Sequence, residues 1–482
     1  MNLSRREVLG SSLAVLAGSV VPTMAYAQET TYGAALTGSG ITKSFATFLS
    51  GIRYEDLPPA AVHEAKRAVL DWIGCALAGS THPTVGITIS TFQTLGSVPA
   101  ASVLGHRGLK LGLLDAPVAN GQMGHILDFD DTHLGGVILH TSTAALPALF
   151  ALGESRKASG RDLIVAMAAA FEAGIRVGQA ATSHHLAGWH LTGTLGTVAA
   201  AAGSARLVGL TGEQTTFALG IGCTQAGGMQ QNRGSDCKSL HAGKSAYHGV
   251  MAAMLASKGF DSSPEILEGS LGFTKVFSAT QENGAILSGI GQSWKITGNG
   301  YKPYACGVVL HPMIDAVIDV SKKSRVKATD VAAIEVLVHP DVIRITGVDS
   351  PNSGLMSKFS VNHAASVSFI DQAAGVTQFT DARSSDAAVL ALRKLVTVKA
   401  DRSFRLDQSA ATVRTKSGAT FDSAIAHATG TVDNPLSDQQ LRDKYFGNAG
   451  PVIGADQARR VADMIGALDT LSDVGDLVRA CV

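Results

Sequence analysis

Between Gly124 and Ser142 the chain concentrates His125, Asp128, Asp130, Asp131, Thr132, His133 and His140 in a stretch otherwise rich in Gly, Leu, Ile and Phe. Burial among apolar neighbours shifts the pKa values of imidazoles and carboxylates toward those that suit general acid and base work. Asp128, set between Leu127 and Phe129, is the carboxylate with the least natural claim on solvent. Asp130 and Asp131 stay open between a site role and an ordinary solvated helix end, because charged side chains are mostly exposed. A metal centre competes with the acid/base reading, since His and Asp are common ligands, yet no His-Glu-x-x-His spacing supports it. An aspartate-rich prenyl-transfer helix would need a further carboxylate at 134 or 135, and those positions are Leu134 and Gly135.

The elements that must position these groups are helices. One opens at Asp115 with Pro117 in its first turn. Continued to Thr132, it would place His125, Asp128 and Thr132 on one face. Gly135-Gly136 then stops it, and His140 heads a second apolar helix from Thr143 to Leu152, where backbone N–H groups also suit an anion.

Further along, His190 precedes the Gly-rich helix start Gly193-Thr194-Leu195-Gly196, a place where a lone histidine is more often structural. Lys238 and His241 lie one helical turn apart, ahead of Gly243-Lys244-Ser245. A phosphate loop would require Gly at 238, so the two cations suit a substrate carboxylate instead. Lys302, in Tyr301-Lys302-Pro303-Tyr304, and His311 stand where the pattern of the chain changes, and clefts form at such junctions. His363 opens a helix beyond that junction.

The chain has 482 residues, 45% of them apolar, with a formal charge of zero, enough for two packed domains. Neutral charge with no long basic run argues against nucleic acid or an anionic membrane surface as partner. From Phe45 to about Phe277 the periodicity is helical, with starts at Asp, Thr or Pro and breaks at Gly. After about Gly298, β-branched runs at 333–338, 395–399 and 411–421 alternate with helices at 312–322 and 360–370, and Lys416-Ser417-Gly418 reads as a hairpin turn. From Asn434 the pattern is helical to the end. The expected fold is mainly α: a helical domain at 28–297 and 433–482, with an α+β domain at 298–432 between them.

Residues 1–27 read as a targeting module. Ser4-Arg5-Arg6-Glu7-Val8-Leu9 resembles a twin-arginine signal, followed by a short apolar stretch and Ala25-Tyr26-Ala27 as a cleavage site. No later uninterrupted apolar run of membrane length is expected, so the mature chain is expected to be soluble in the periplasm, with no membrane partner once the signal is removed. Five widely spaced cysteines make neither a disulfide framework nor a Cys-x-x-Cys metal site.

Taken in order, Gly124-His125 with Asp128-Phe129-Asp130-Asp131, His140, Gly193-Thr194-Leu195-Gly196, Lys238-Ser239-Leu240-His241-Ala242-Gly243, Lys302-Pro303-Tyr304, His311, Lys358-Phe359-Ser360 and Asn434-Pro435 resemble the MmgE/PrpD family. Its members include dehydratases, decarboxylases and epimerases of small polycarboxylates. The resemblance implies a helical domain built from both chain ends, an inserted α+β lid, a homodimer, and a cleft between the domains that works without nucleotide or redox cofactor; no metal is expected from the spacing of the residues. The resemblance also implies Asp128, His140, His190 and the helix start at His363 as catalytic residues, with Thr132, Lys238 and Lys302 on the substrate, to which the spacing from Lys238 adds His241. The implied activity is that of a lyase or isomerase, with 2-methylcitrate dehydration ahead of dicarboxylate epimerisation. Decarboxylation comes last, because the decarboxylase branch carries a further histidine near Gly307. A metal-dependent hydrolase or hydratase and an exported carboxylate-binding protein are the remaining alternatives.

Overall fold

Reciprocal caps start the long helices where the sequence places hydroxyl and acidic or amide residues three apart. Ser159 with Asp162 begins the helix Gly160–Ala180, and Thr211 with Gln214 begins Gly212–Thr224. The computed structural model describes residues 40–482, so the targeting segment and its twin-arginine reading lie outside the described residues. Within them the fold is mainly α.

Small side chains let these helices approach closely. A Cβ on Gly121 would lie 2.7 Å from the Gly243 Cα, which brings the helix Asp115–Ile126 against Asp236–Ser257. A Cβ on Gly196 would meet the Ala144 Cβ at 2.8 Å, so Leu191–Leu207 sits equally close to Thr141–Arg156. The abundance of Gly and Ala thus serves helix-on-helix contact, in which larger residues would force the axes apart.

One apolar core joins residues from Phe45 to Tyr301 with the C-terminal residues Leu436 to Cys481. The helix Asp438–Ile453 packs on Pro59–Gly79, with Tyr445 against Gly74. A second core gathers residues from Ala305 to Val413 and receives Cys75, Ile126, Leu127 and Phe129 from the helical part. Its sheet has four strands in the order Val396–Ala400, Val331–Val338, Ser409–Thr415, Thr420–Ile425; the first pair is parallel and the others antiparallel. The hairpin turns at the expected Lys416-Ser417-Gly418, with Arg414 opposite Thr420. The helices His311–Ser324 and Val361–Asp371 cover the sheet.

Gly160–Ala180 has the length and mean apolarity of a membrane span, although Glu172 and Arg176 interrupt its apolar run. It is a core helix: nearly all of it is buried, and it carries the ion pair of Glu172 with Arg176. The guanidinium of Arg176 also donates to the carbonyls of Ser288 and Ser293, and the Glu172 carboxylate accepts from the Lys295 backbone N–H. Buried charges persist only when paired in this way. All five cysteines are free, and only Cys237 is exposed.

Candidate active site

Three helix N-termini meet at one small cavity. His140 and His190 are the residues immediately before the helices Thr141–Arg156 and Leu191–Leu207, and Lys238 lies in the first turn of Asp236–Ser257. Their side chains line the cavity together with Asp128, Lys302, Arg233, Gly307 and Phe359. The positive ends of the helix dipoles favour an anion there.

The helix from Asp115 does not run on to Thr132. It ends at Ile126, and Asp128 adopts a left-handed backbone with φ of 51°. An aspartate tolerates that conformation better than most residues, and strain of this kind is typical of functional positions. The turn replaces the expected shared face of His125, Asp128 and Thr132 with a tighter arrangement. Asp128 Oδ1 accepts from Lys302 Nζ at 2.7 Å and from Lys238 Nζ at 3.3 Å, while the Asp128 carbonyl takes a second bond from Lys302 at 3.1 Å. Burial opposes ionisation of Asp128, but the ammonium groups of Lys238 and Lys302 hold its carboxylate well below the usual range. Beyond the turn, Thr132–His133 pairs with Asn299–Gly300 as a short antiparallel ladder.

Asp130 and Asp131 are fully buried, which closes the question of a solvated helix end. The Asp130 carboxylate accepts from His125 Nδ1 at 2.9 Å and stands 3.5 Å from His140 Nδ1. His125 Nε2 accepts from Lys238 Nζ at 2.9 Å, so Asp130, His125, Lys238, Asp128 and Lys302 form one continuous chain of hydrogen bonds. His140 Nδ1 also faces the Asp131 carbonyl at 3.0 Å and Thr132 Oγ1 at 3.0 Å. A carbonyl only accepts, so Nδ1 carries the hydrogen and Nε2 keeps its lone pair. Burial drives the His140 pKa down to about 3, against the pull of Asp130, so the ring is neutral. Asp131 differs from its neighbour: burial and the nearby Asp71 push its pKa well up, and its carboxyl accepts from Ser142 and Asn299.

His190 and His241 meet nitrogen to nitrogen, Nδ1 to Nδ1 at 2.9 Å, so one proton serves both and the pair is not doubly charged. Burial lowers both, His190 strongly and His241 to about 4. The His190 ring stacks on His125 at 5.5 Å.

His363 is not brought to the cavity. Its Nε2 donates to the Gln378 carbonyl at 2.8 Å and its ring packs on Phe379, because the helix it opens belongs to the second core. Lys302 also lines a neighbouring chamber of about 460 Å³, which shares Ile138, Val308 and Val309 with the cavity; Thr132 lines that chamber and not the cavity.

Sequence reasoning named His125, Asp130 and Lys358 without giving them roles and passed over Arg233. Lys358 donates to the carbonyls of Leu127 and Ala305, tying the turn at Asp128 to the second core. The Gln-Asn-Arg-Gly composition just before Lys238 was the available signal for Arg233. As to metal, His125, Asp130 and His140 bring ligand atoms within reach of one another, although both Nδ1 atoms are occupied by hydrogen bonds. His133 lies apart from them, bonded to the Lys295 carbonyl.

Comparison with known families places this geometry. Residues 43–285 match the MmgE/PrpD N-terminal domain, and residues 304–470 match the MmgE/PrpD C-terminal domain. The chain belongs to the MmgE/PrpD family. Among its curated relatives, the cis-aconitate decarboxylase of Aspergillus terreus is 28% identical over 472 residues, covering 91% of this chain and 95% of the relative. The cis-aconitate decarboxylase-like protein oryM of Aspergillus oryzae is 29% identical over 470 residues, covering 91% and 96%. The human cis-aconitate decarboxylase is 28% identical over 454 residues, covering 90% and 92%. In this MmgE/PrpD chain the cavity therefore draws on both family domains, with Asp128, His140, His190 and Lys238 from the first and Gly307 and Phe359 from the second.

Proposed function

We propose that this MmgE/PrpD protein is a cofactor-independent lyase that removes a proton next to a carboxylate of a small di- or tricarboxylate, in the manner of a 2-methylcitrate dehydratase. The observation that carries the reading is His140: a neutral imidazole in the cavity, its Nδ1–H fixed by the Asp131 carbonyl, with Lys238 and Lys302 lining the same space. His140 Nε2 takes the proton on the carbon beside the carboxylate. The negative charge that develops toward that carboxylate is met by the two ammonium groups and the helix starts, donors already in place before the step. The proton taken up at His140 is passed to the hydroxyl, with His190 beside it as the relay, so that the hydroxyl leaves as water and the electron pair of the broken C–H bond becomes the new C=C bond. Asp128, engaged by Lys238 and Lys302, acts as their anchor.

The relatives support a second reading, decarboxylation, in which a C–C bond to carboxylate breaks and a histidine returns a proton to carbon. Against it, the cavity position where the family resemblance puts a decarboxylase histidine is Gly307, which presents no side chain. Epimerisation would use His140 and His190 on opposite faces of one carbon. In both main readings residues 298–432 act as a lid on the helical part, and the mature chain acts as a homodimer after twin-arginine export.

Incubation of small di- and tricarboxylates in deuterium oxide separates these outcomes. Solvent exchange at the carbon beside a carboxylate with an unsaturated product supports dehydration. Exchange with inversion alone means epimerisation, and release of carbon dioxide with solvent deuterium in the product means decarboxylation. Turnover of a substrate deuterated at that carbon with the deuterium fully retained there would overturn proton abstraction.

A further inference from the structure

Arg233 carries a free charge into the cavity. It follows the short turn Gln230–Asn232 and lines the same space as His140, His190, Lys238 and Lys302. Among the described residues its guanidinium has one side-chain partner: Nη2 donates to Gln230 Oε1 at 2.5 Å. Gln230 is itself clamped, its amide nitrogen donating to the carbonyls of His185 at 2.7 Å and Trp189 at 2.9 Å, so its oxygen is fixed toward the arginine. The guanidinium is half-buried and forms no ion pair with a carboxylate of the described residues. Its cationic neighbour Arg344 has such a pair, with Asp341 at 2.9 Å.

Charge counting gives this position its meaning. Lys238 and Lys302 share one carboxylate, that of Asp128. Adding Lys358 and Arg233 makes four cations around the site, against the two ionised carboxylates of Asp128 and Asp130. The imidazoles are neutral and contribute nothing to the count. Two positive charges are left over, and a substrate with one carboxylate would neutralise only one of them. A planar guanidinium with N–H groups to spare recognises a carboxylate through two parallel bonds, which an ammonium does not.

We propose that Arg233 is a specificity-determining residue that binds a second carboxylate of the substrate, remote from the carbon that loses its proton, with Gln230 as the residue that positions it. The proposal rests on the polycarboxylate reading above and narrows it: the site selects for carboxylate number. Arg233 is held by a loop that also starts the helix of Lys238, so engagement of the second carboxylate sets the distance between the two anchoring points.

The test is calorimetric binding of tricarballylate and of its terminal monoamide to the wild-type chain, Arg233→Gln and Arg233→Lys. A charge-assisted pair contributes roughly tenfold to a hundredfold in affinity. The wild-type chain should therefore favour tricarballylate over the monoamide by about that factor, and Arg233→Gln should collapse the preference to below about threefold. Arg233→Lys should restore part of it. In turnover, Arg233→Gln should raise KM with little change in kcat, as expected for lost uniform binding. A wild-type preference that survives unchanged in Arg233→Gln overturns the role of Arg233 and leaves the lyase reading intact. Failure of the wild-type chain to bind tricarballylate or any other small polycarboxylate overturns both.

Discussion

Lys302 grips Asp128 twice, through the carboxylate at 2.7 Å and through the backbone carbonyl at 3.1 Å, although 174 residues separate them in the chain. This double contact holds the left-handed turn at Asp128 closed and gives both lysines a common counter-charge. Removing one member of a buried ion pair costs about 3–5 kcal/mol, because the remaining charge is left uncompensated. Asp128→Asn should accordingly lower the denaturation midpoint by several degrees, and saturating tricarballylate should recover much of the loss by supplying the missing anion. An unchanged midpoint in thermal scans would mean that the lysines do not depend on Asp128.

His140 and His190 should behave as proton carriers. His140→Gln and His190→Gln are each expected to lower kcat by about a hundredfold to ten-thousandfold, with KM moving far less. His363→Gln, whose ring is turned to the Gln378 carbonyl, should keep kcat within a few-fold of the wild-type value. Steady-state kinetics of the three variants decide it. A loss below tenfold in both His140→Gln and His190→Gln would remove them from the mechanism.

Acid stability follows from the buried imidazoles. Burial holds His140 and His184 down to about 3 in the folded chain, whereas an unfolded histidine titrates near 6.5. Between these values the unfolded chain binds more protons, so stability is full above about pH 6.5 and is lost as the pH falls toward 3. His184 is the cleanest probe, since both its ring nitrogens are buried without partners among Trp189, Phe273 and Phe277. Denaturant titrations at several pH values should show a shallower slope for His184→Phe than for the wild-type chain. Identical slopes would contradict the assignment.

Chelator should leave activity untouched. His125 Nδ1 and His140 Nδ1 are committed to Asp130 and the Asp131 carbonyl, so a metal at His125, Asp130 and His140 would have to displace both hydrogens. Elemental analysis beside activity assays checks this. A stoichiometric divalent ion whose removal abolishes turnover and whose return restores it would transfer the protein to a metal-dependent class.

Export is testable independently of the fold. Replacing Arg5 and Arg6 with Lys should leave a full-length, unprocessed precursor in the cytoplasm, because the twin-arginine receptor reads that pair. Fractionation and immunoblotting would show it, and normal processing of the double variant would exclude this route.

Much of the fold was legible residue by residue. Ser159 and Asp162, or Thr211 and Gln214, announce helix starts because cap chemistry acts over three residues. The strands on either side of Lys416-Ser417-Gly418 show in alternation and a turn triplet, also local properties. The ordered motifs pointed to the family and to a site built on Asp128, His140, His190 and Lys238, all of which line one cavity.

What only the tertiary structure decided is how each group is ionised, faced and partnered. Asp130 and Asp131 are adjacent and chemically identical, yet contact with His125 keeps one strongly acidic while burial near Asp71 leaves the other reluctant to ionise. The sequence read as helix through Asp128 because local periodicity cannot register a lysine 174 residues away that stabilises a left-handed turn. The family resemblance put the helix start at His363 in the site; in the fold its ring is turned to the Gln378 carbonyl and its helix packs in the second core. For Arg233 the local composition Gln-Asn-Arg-Gly could mark a loop but not its role, since a guanidinium left without a carboxylate is a property of everything around it. Residue types and short-range spacing therefore set which chemistry was available, and long-range burial and pairing set which residues perform it, because desolvation and Coulomb energies depend on neighbours in space rather than in sequence.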